Sequence, residues 1–151
     1  MSDPNKPLAP TLAIFDLDNT LIGGDSDHAW GEFLIQQELV NADEHRKKND
    51  AFYADYQRGE LDMQAYLRFV LATIAGKTPS ELKPLHVQFM QKFIRPMLLP
   101  KANALIKAHR EKNHFLLIIT ATNRFITEPI AELLGVDDLL ASDAELSDGR
   151  Y

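Results

Sequence analysis

Thr11-Leu12-Ala13-Ile14-Phe15-Asp16-Leu17-Asp18-Asn19-Thr20 is the stretch on which the reading of this chain turns. The first five residues form a short apolar run that ends abruptly in acids, as expected of a buried parallel strand whose carboxyl end opens into a polar loop. Ligands of α/β sheets bind at such strand ends. With 13 Asp and 7 Thr among 151 residues, an Asp-x-Asp-x-Thr pattern arises by chance about one time in twenty. The requirement that it follow directly on a strand removes most of those occurrences. The competing reading makes the two aspartates loop formers or a helix cap.

Two carboxylates spaced two apart suit cleavage of a phosphate ester. Asp16 would attack phosphorus and form an aspartyl-phosphate. Asp18 would protonate the leaving oxygen and then deprotonate the hydrolytic water. Two carboxylates beside a phosphate call for a hard divalent cation, and Mg2+ on Asp16 and Asp18 is the expected cofactor.

Downstream of this loop the pattern turns helical from Ser26 to about Pro96. Ser26 is expected to cap a first helix through Trp30, Phe33 and Leu34. A second spans Asp43 to Arg58 and stops at Gly59. Asp62 caps a third, carrying Tyr66 to Ile74 and ended by Gly76. Thr78-Pro79-Ser80-Glu81 is a capping box opening a fourth toward Ile94, with Pro84 a point of shortening or bending. The aromatic residues of these helices, Tyr53 and Tyr56 included, are expected to pack as core.

After Pro100 the signal alternates: helix Lys101 to Glu111, strand His114 to Ile119, helix Phe125 to Leu134 stopped by Gly135, strand Leu139 to Ser142, then an Asp148-Gly149 turn. Thr120, at the end of the second apolar run, either donates to a phosphoryl oxygen beside Ala121 and the following helix start, or merely ends its strand, with Thr122 or Asn123 as the helix cap. The fold class is therefore α/β with a parallel sheet. Residues 1–22 and 97–151 form the core, split by a helical insertion over 23–96 that is too long for a structureless loop.

Composition narrows the function classes. The chain is 45% hydrophobic and 25% charged, as a globular domain is, with a formal charge of -6 that disfavours a nucleic-acid partner. No apolar run approaches the ~20 residues that span a bilayer. Met1 to Pro10 read as a loose leader lacking signal-peptide features. The absence of cysteine excludes disulfides and thiolate metal sites. A cytoplasmic location is expected, with no membrane partner.

The order of hydrophobic strand, Asp-Leu-Asp-Asn-Thr, helical insertion and apolar strand ending in Thr120 resembles the first two motifs of the haloacid dehalogenase superfamily. Gly59-Glu-Leu-Asp-Met-Gln-Ala-Tyr-Leu-Arg68, Leu134-Gly-Val-Asp-Asp138 and Ser147-Asp-Gly-Arg150 are similar to the phosphoserine phosphatase branch. The resemblance implies a Rossmann-like core, a mobile helical cap of the C1 class, Mg2+, a small phosphomonoester substrate, and Asp16, Asp18 and Thr120 in the roles given above. It also implies a substrate-facing acid at Asp25, which otherwise reads as a turn residue after Gly23-Gly24, and an arginine for the substrate, for which Arg68 lies two residues before the aligned Val70. Ala121-Thr122 replaces the branch's Gly-Gly.

The lysine and later acidic pair of the family would fall beyond Tyr151. The chain is thus read as truncated before those motifs, with a sheet edge open to self-association. Two other readings stand beside the phosphatase: a catalytically incomplete phosphate-binding or regulatory fragment of the same fold, and a helical interaction module whose aspartates are structural.

Overall fold

The computed structural model describes residues 11–151; the leader read over Met1 to Pro10 lies outside them. Three parallel strands, β1 (Leu12–Phe15), β2 (Phe115–Asn123) and β3 (Asp138–Ser142), form a sheet in the order β1-β2-β3. Between β1 and β2 run α1 (Ser26–Gln36), α2 (Ala42–Arg58), α3 (Met63–Leu71), α4 (Pro79–Phe89), a π-helical turn (Met90–Ile94), α5 (Arg95–Met97) and α6 (Pro100–Glu111). A single helix, α7 (Arg124–Leu134), joins β2 to β3.

Register explains the burial. Pairs Ala13↔Leu116, Phe15↔Ile118 and Ile118↔Leu139 put these side chains on one face of the sheet, where all are buried. Ala102 and Ile106 of α6 and Ile126, Ile130, Ala131 and Leu134 of α7 belong to the same core. Both crossovers advance in one direction across the sheet, so the right-handed rule puts both helices on one side. A second part of the core is aromatic: Trp30 and Phe33 of α1 meet Phe89, with Phe125 of α7 edge-on to Trp30 at 5.2 Å.

The capping box of α4 forms as read, with Thr78 and Glu81 bonding reciprocally, and Gly59 and Gly135 stop their helices in the left-handed region. Ser147 pairs with Arg150 across the Asp148-Gly149 turn. Four expectations are corrected. Asp25, not Ser26, caps α1, accepting from the Asp27 and His28 N–H groups at 2.9 Å. Helix α3 ends at Leu71, and Ile74 is buried in the turn beyond it. Strand β2 continues through Thr120 to Asn123, because Asn123 pairs with Ser142 across a register shift and the Ser142 hydroxyl donates to the Ala121 carbonyl. Tyr53 and Tyr56 are exposed, since α2 packs along one edge and has no fully buried residue.

The insertion leaves and returns at one place. Ile22 bridges Leu98 in antiparallel fashion, and the Gly23 N–H donates to the Met97 carbonyl at 2.7 Å. A Cβ on Gly24 would stand 2.5 Å from Met97 Cε, so the two crossing segments pack too closely for a side chain there without Met97 moving.

The opposite face of the sheet carries Leu12, Ile14, Phe115, Ile119 and Leu140, between 39% and 55% exposed. Parallel sheets are ordinarily covered on both faces, and β1 is an edge among the described strands. Unpaired edges with apolar side chains recruit other chains. The 151-residue polypeptide is therefore expected to self-associate in light scattering, and Ile14→Lys to shift it toward monomer. A monodisperse monomer at tens of micromolar would contradict this.

Candidate active site

Asp16 follows the last residue of β1 and is exposed, accepting a hydrogen bond from the Thr20 hydroxyl at 2.9 Å. The loop after it is a tight turn. The N–H groups of Thr20, Leu21 and Ile22 all point to the Leu17 carbonyl, and Asn19 takes a left-handed φ of 55°, closed by its N–H on the Gly24 carbonyl. Asn tolerates this conformation better than most residues with a Cβ. Leu17 and Leu21 anchor the loop by complete burial, so Asp16 and Asp18, on either side of Leu17, sit on a fixed base.

Asp18 is half-buried and held from two other elements. The Ser26 N–H at the start of α1 donates to Oδ1 at 2.7 Å, and the Thr122 hydroxyl on β2 donates to Oδ2 at 2.8 Å. Burial raises the Asp18 pKa, against the lowering effect of its Ser26 and Thr122 donors and with a smaller push from Asp25. The site thus joins the β1 loop, the first turn of α1 and the end of β2. Thr120 is buried, and its Oγ1 accepts the Thr122 N–H at 3.1 Å. The end of β2 therefore meets the β1 loop through Thr122, which the sequence offered only as a helix cap. Asn123 takes that cap position instead, its Oδ1 accepting the Phe125 N–H.

Ala121 is exposed. Arg68 projects from α3 to solvent, and the structure gives it no hydrogen bond or ion pair with Asp16, Asp18 or Asp25. Asp25 lies at the site as the α1 cap.

The sequence did not mark Asp27, and marked Tyr66 only as a core aromatic of the third helix. The Tyr66 hydroxyl, from α3, donates to Asp27 Oδ2. Burial pushes the Asp27 carboxyl up to about 6, with Asp25 and Asp18 adding to the push. Burial, and then the Asp27 charge, hold the Tyr66 phenol well above its usual range. A pair 39 residues apart leaves no local signal.

A raised carboxyl pKa means that the folded chain binds this proton more tightly than the unfolded chain does. Stability is then lost as pH rises from the unfolded value of 3.8 through the folded value of about 6. A shift of this size costs roughly 3 kcal/mol at neutral pH. Asp27→Asn is expected to melt at or above the unsubstituted chain at pH 7.5 and to lose that advantage at pH 4.5. A lower melting temperature at both values would show that the charged form is stabilising.

Among the described residues no Lys or Arg forms an ion pair with Asp16, Asp18, Asp25 or Asp27. Hard, uncompensated carboxylate oxygens are the donors that Mg2+ takes. No three His, Asp or Glu side chains among the described residues converge as a complete metal cage, so Asp16 and Asp18 would form only part of an ion's coordination.

A sequence profile of haloacid dehalogenase-like hydrolases matches residues 13–151. The chain belongs to that family. The chain is 45% identical over 141 residues to a histidinol-phosphatase of Neisseria meningitidis serogroup C (strain 8013), covering 93% of this chain and 64% of that protein. A Bordetella pertussis Tohama I protein of unknown function superposes with a TM-score of 0.86 at 40% identity, over 95% of this chain and 65% of that one. A phosphoserine phosphatase solved as a phospho-aspartyl intermediate analogue superposes at 0.56 and 16% identity, over 93% of this chain and 60% of that one, a likeness of fold alone. The chain spans a little under two thirds of the length of these proteins. Among the described residues no helix is long and apolar enough to cross a membrane.

Proposed function

We propose that this chain carries the nucleophile and acid-base portion of a phosphatase acting on a small phosphomonoester. The observation that carries the reading is the pair Asp16 and Asp18, the first exposed at the end of β1 with one bond from the Thr20 hydroxyl, the second gripped by Ser26 and Thr122. Asp16 Oδ attacks phosphorus as the ester oxygen departs. Asp18 transfers its proton to that oxygen, then takes one from the water that hydrolyses the aspartyl-phosphate. Its raised pKa favours the protonated state needed for the first half, and the hydroxyl of Thr122 can turn from donor to acceptor as Asp18 gains its proton.

Mg2+ held by an Asp16 carboxylate oxygen and the backbone carbonyl of Asp18 would supply charge neutralisation at the phosphoryl oxygens, leaving the Asp18 carboxyl to carry the proton. Thr120 and the backbone at Ala121 are assigned to the phosphate, and Asp25 and Arg68 to substrate selection. Residues 23–96 are read as a cap closing over 1–22 and 97–151 to exclude water, with Ile22–Gly23 and Met97–Leu98 as its paired hinge. Likeness to the Neisseria histidinol-phosphatase makes histidinol phosphate the first substrate to try. A cytoplasmic location fits such a substrate.

The deciding assay is phosphate release from p-nitrophenyl phosphate and histidinol phosphate, with Mg2+ and with excess EDTA. It is run on this polypeptide and on one extended to its relatives' length. Turnover by the extended protein that EDTA abolishes is expected, with little from the 151-residue form. EDTA-insensitive turnover would remove the metal from the reading, and no turnover by either form would remove the phosphatase.

A further inference from the structure

Helix α4 and the π turn and α5 that continue it face α7 across a cleft of about 430 Å3, within the ~300–1,000 Å3 typical of small-molecule sites. It shares no residue with the site built on Asp16 and Asp18. Its two walls differ in sign. Lys83 of α4 and Arg95 of α5 stand on one, Glu128 and Glu132 of α7 on the other, all four exposed. Among the described residues none of the four forms an ion pair, so the opposed charges do not close the gap between them. Arg124, whose charge also reaches Glu128, is committed to Asp143.

The lining also carries three rings and one unsatisfied polar atom. Phe125 is buried, the His86 ring lies tilted against it with centroids 4.2 Å apart, and Tyr151 meets it edge-on at 5.4 Å. Nε2 of His86 is buried without a hydrogen-bond partner, losing its hydration without replacement. Burial holds the His86 pKa below its ordinary value, so near neutral pH the ring is uncharged and Nε2 meets a ligand as donor or acceptor according to its tautomer. Met90 enters the lining from the π turn. Such turns are rare and recur at functional sites.

A ligand suited to this place carries both charges. An anion alone would face Glu128 and Glu132, an amine alone would face Lys83 and Arg95, and a neutral molecule would leave both walls uncompensated. We propose that the cleft binds a free α-amino acid with a flat side chain. Its carboxylate lies toward Lys83 and Arg95, its ammonium toward Glu128 and Glu132, and its side chain against Phe125 and Tyr151, where ring edges and faces pack favourably. The inference does not depend on the phosphatase reading.

Trp30 is the single tryptophan and lies 5.2 Å from Phe125 and 5.7 Å from His86, so its emission, excited to the red of phenylalanine absorption, reports on the cleft. In the protein extended to its relatives' length, titration with L-phenylalanine should saturate. Phenethylamine, which lacks the carboxylate, and 3-phenylpropionate, which lacks the ammonium, should each bind at least tenfold more weakly. Replacing both acids, Glu128→Gln with Glu132→Gln, should weaken L-phenylalanine tenfold or more without weakening 3-phenylpropionate. Replacing both cations, Lys83→Met with Arg95→Met, should weaken L-phenylalanine equally without weakening phenethylamine. All four side chains are exposed, so the melting temperature should hold; where a double variant melts lower, its two single variants are compared instead. Equal affinity for the three probes, no saturation by L-phenylalanine up to tens of millimolar, or titrations that no substitution alters would each overturn the proposal.

Discussion

Asp16→Asn in the extended, active protein is expected to lower phosphatase turnover on the order of a thousandfold or more, for aryl and alkyl esters alike, while the fold is kept. Loss of a covalent nucleophile removes the first displacement itself, and such losses are large and insensitive to the leaving group. The fold should survive because Asp16 is exposed and has one hydrogen bond, from the Thr20 hydroxyl, which an amide oxygen accepts equally well. Leu17 and Leu21, which seat the loop, are untouched. Phosphate release and a thermal melt measured on the same preparation decide it. More than a few percent residual turnover with an unchanged melt would mean that water, not Asp16, attacks phosphorus.

How far the sequence reveals this site depends on whether a feature is local. The Asp16 loop was legible because an apolar run stopped at an acid. The α4 start was legible because Thr78 and Glu81 serve one another within a single turn. The start of α1 was not. Ser26 and Asp25 are both good cap residues, and the choice is made from outside the helix, by Asp18 claiming the Ser26 N–H.

The same holds for β2. Thr120 to Asn123 has the composition of a helix entry, yet it stays extended because β3 offers Ser142 as a partner. That extension sets Thr122 against Asp18, a contact across 104 positions that no spacing rule encodes. Tyr53 and Tyr56 mislead in the opposite sense: their helical spacing marks a stripe, but α2 meets the rest of the insertion through Phe52 and His45, which face Phe69 and Tyr66. Nor does anything in Met90-Gln-Lys-Phe-Ile94 mark a π turn, although Pro84 drew attention to a bend in the same helix.

Asp18→Asn is expected to separate two classes of ester. An alkyl alkoxide is a poor leaving group and needs its proton as the bond breaks, whereas p-nitrophenolate departs without one. General-acid assistance is typically worth ~10²–10⁴-fold, so the alkyl ester should lose within that range and the aryl ester on the order of tenfold at most. Local structure should tolerate the change. The amide oxygen can keep the Ser26 N–H, and the amide nitrogen can donate to Thr122, whose hydroxyl oxygen accepts as readily as its hydrogen donates. The pH profile gives an independent reading. Since burial raises the Asp18 pKa, the alkyl-ester rate of the unsubstituted protein should fall as pH rises through that elevated value, where the acid is lost. In Asp18→Asn that limb should vanish, while a fall shared by both esters would belong to another group. If Asp18→Asn slows both ester classes by the same factor and leaves the limb in place, Asp18 is a structural clasp between α1 and β2 rather than the proton carrier.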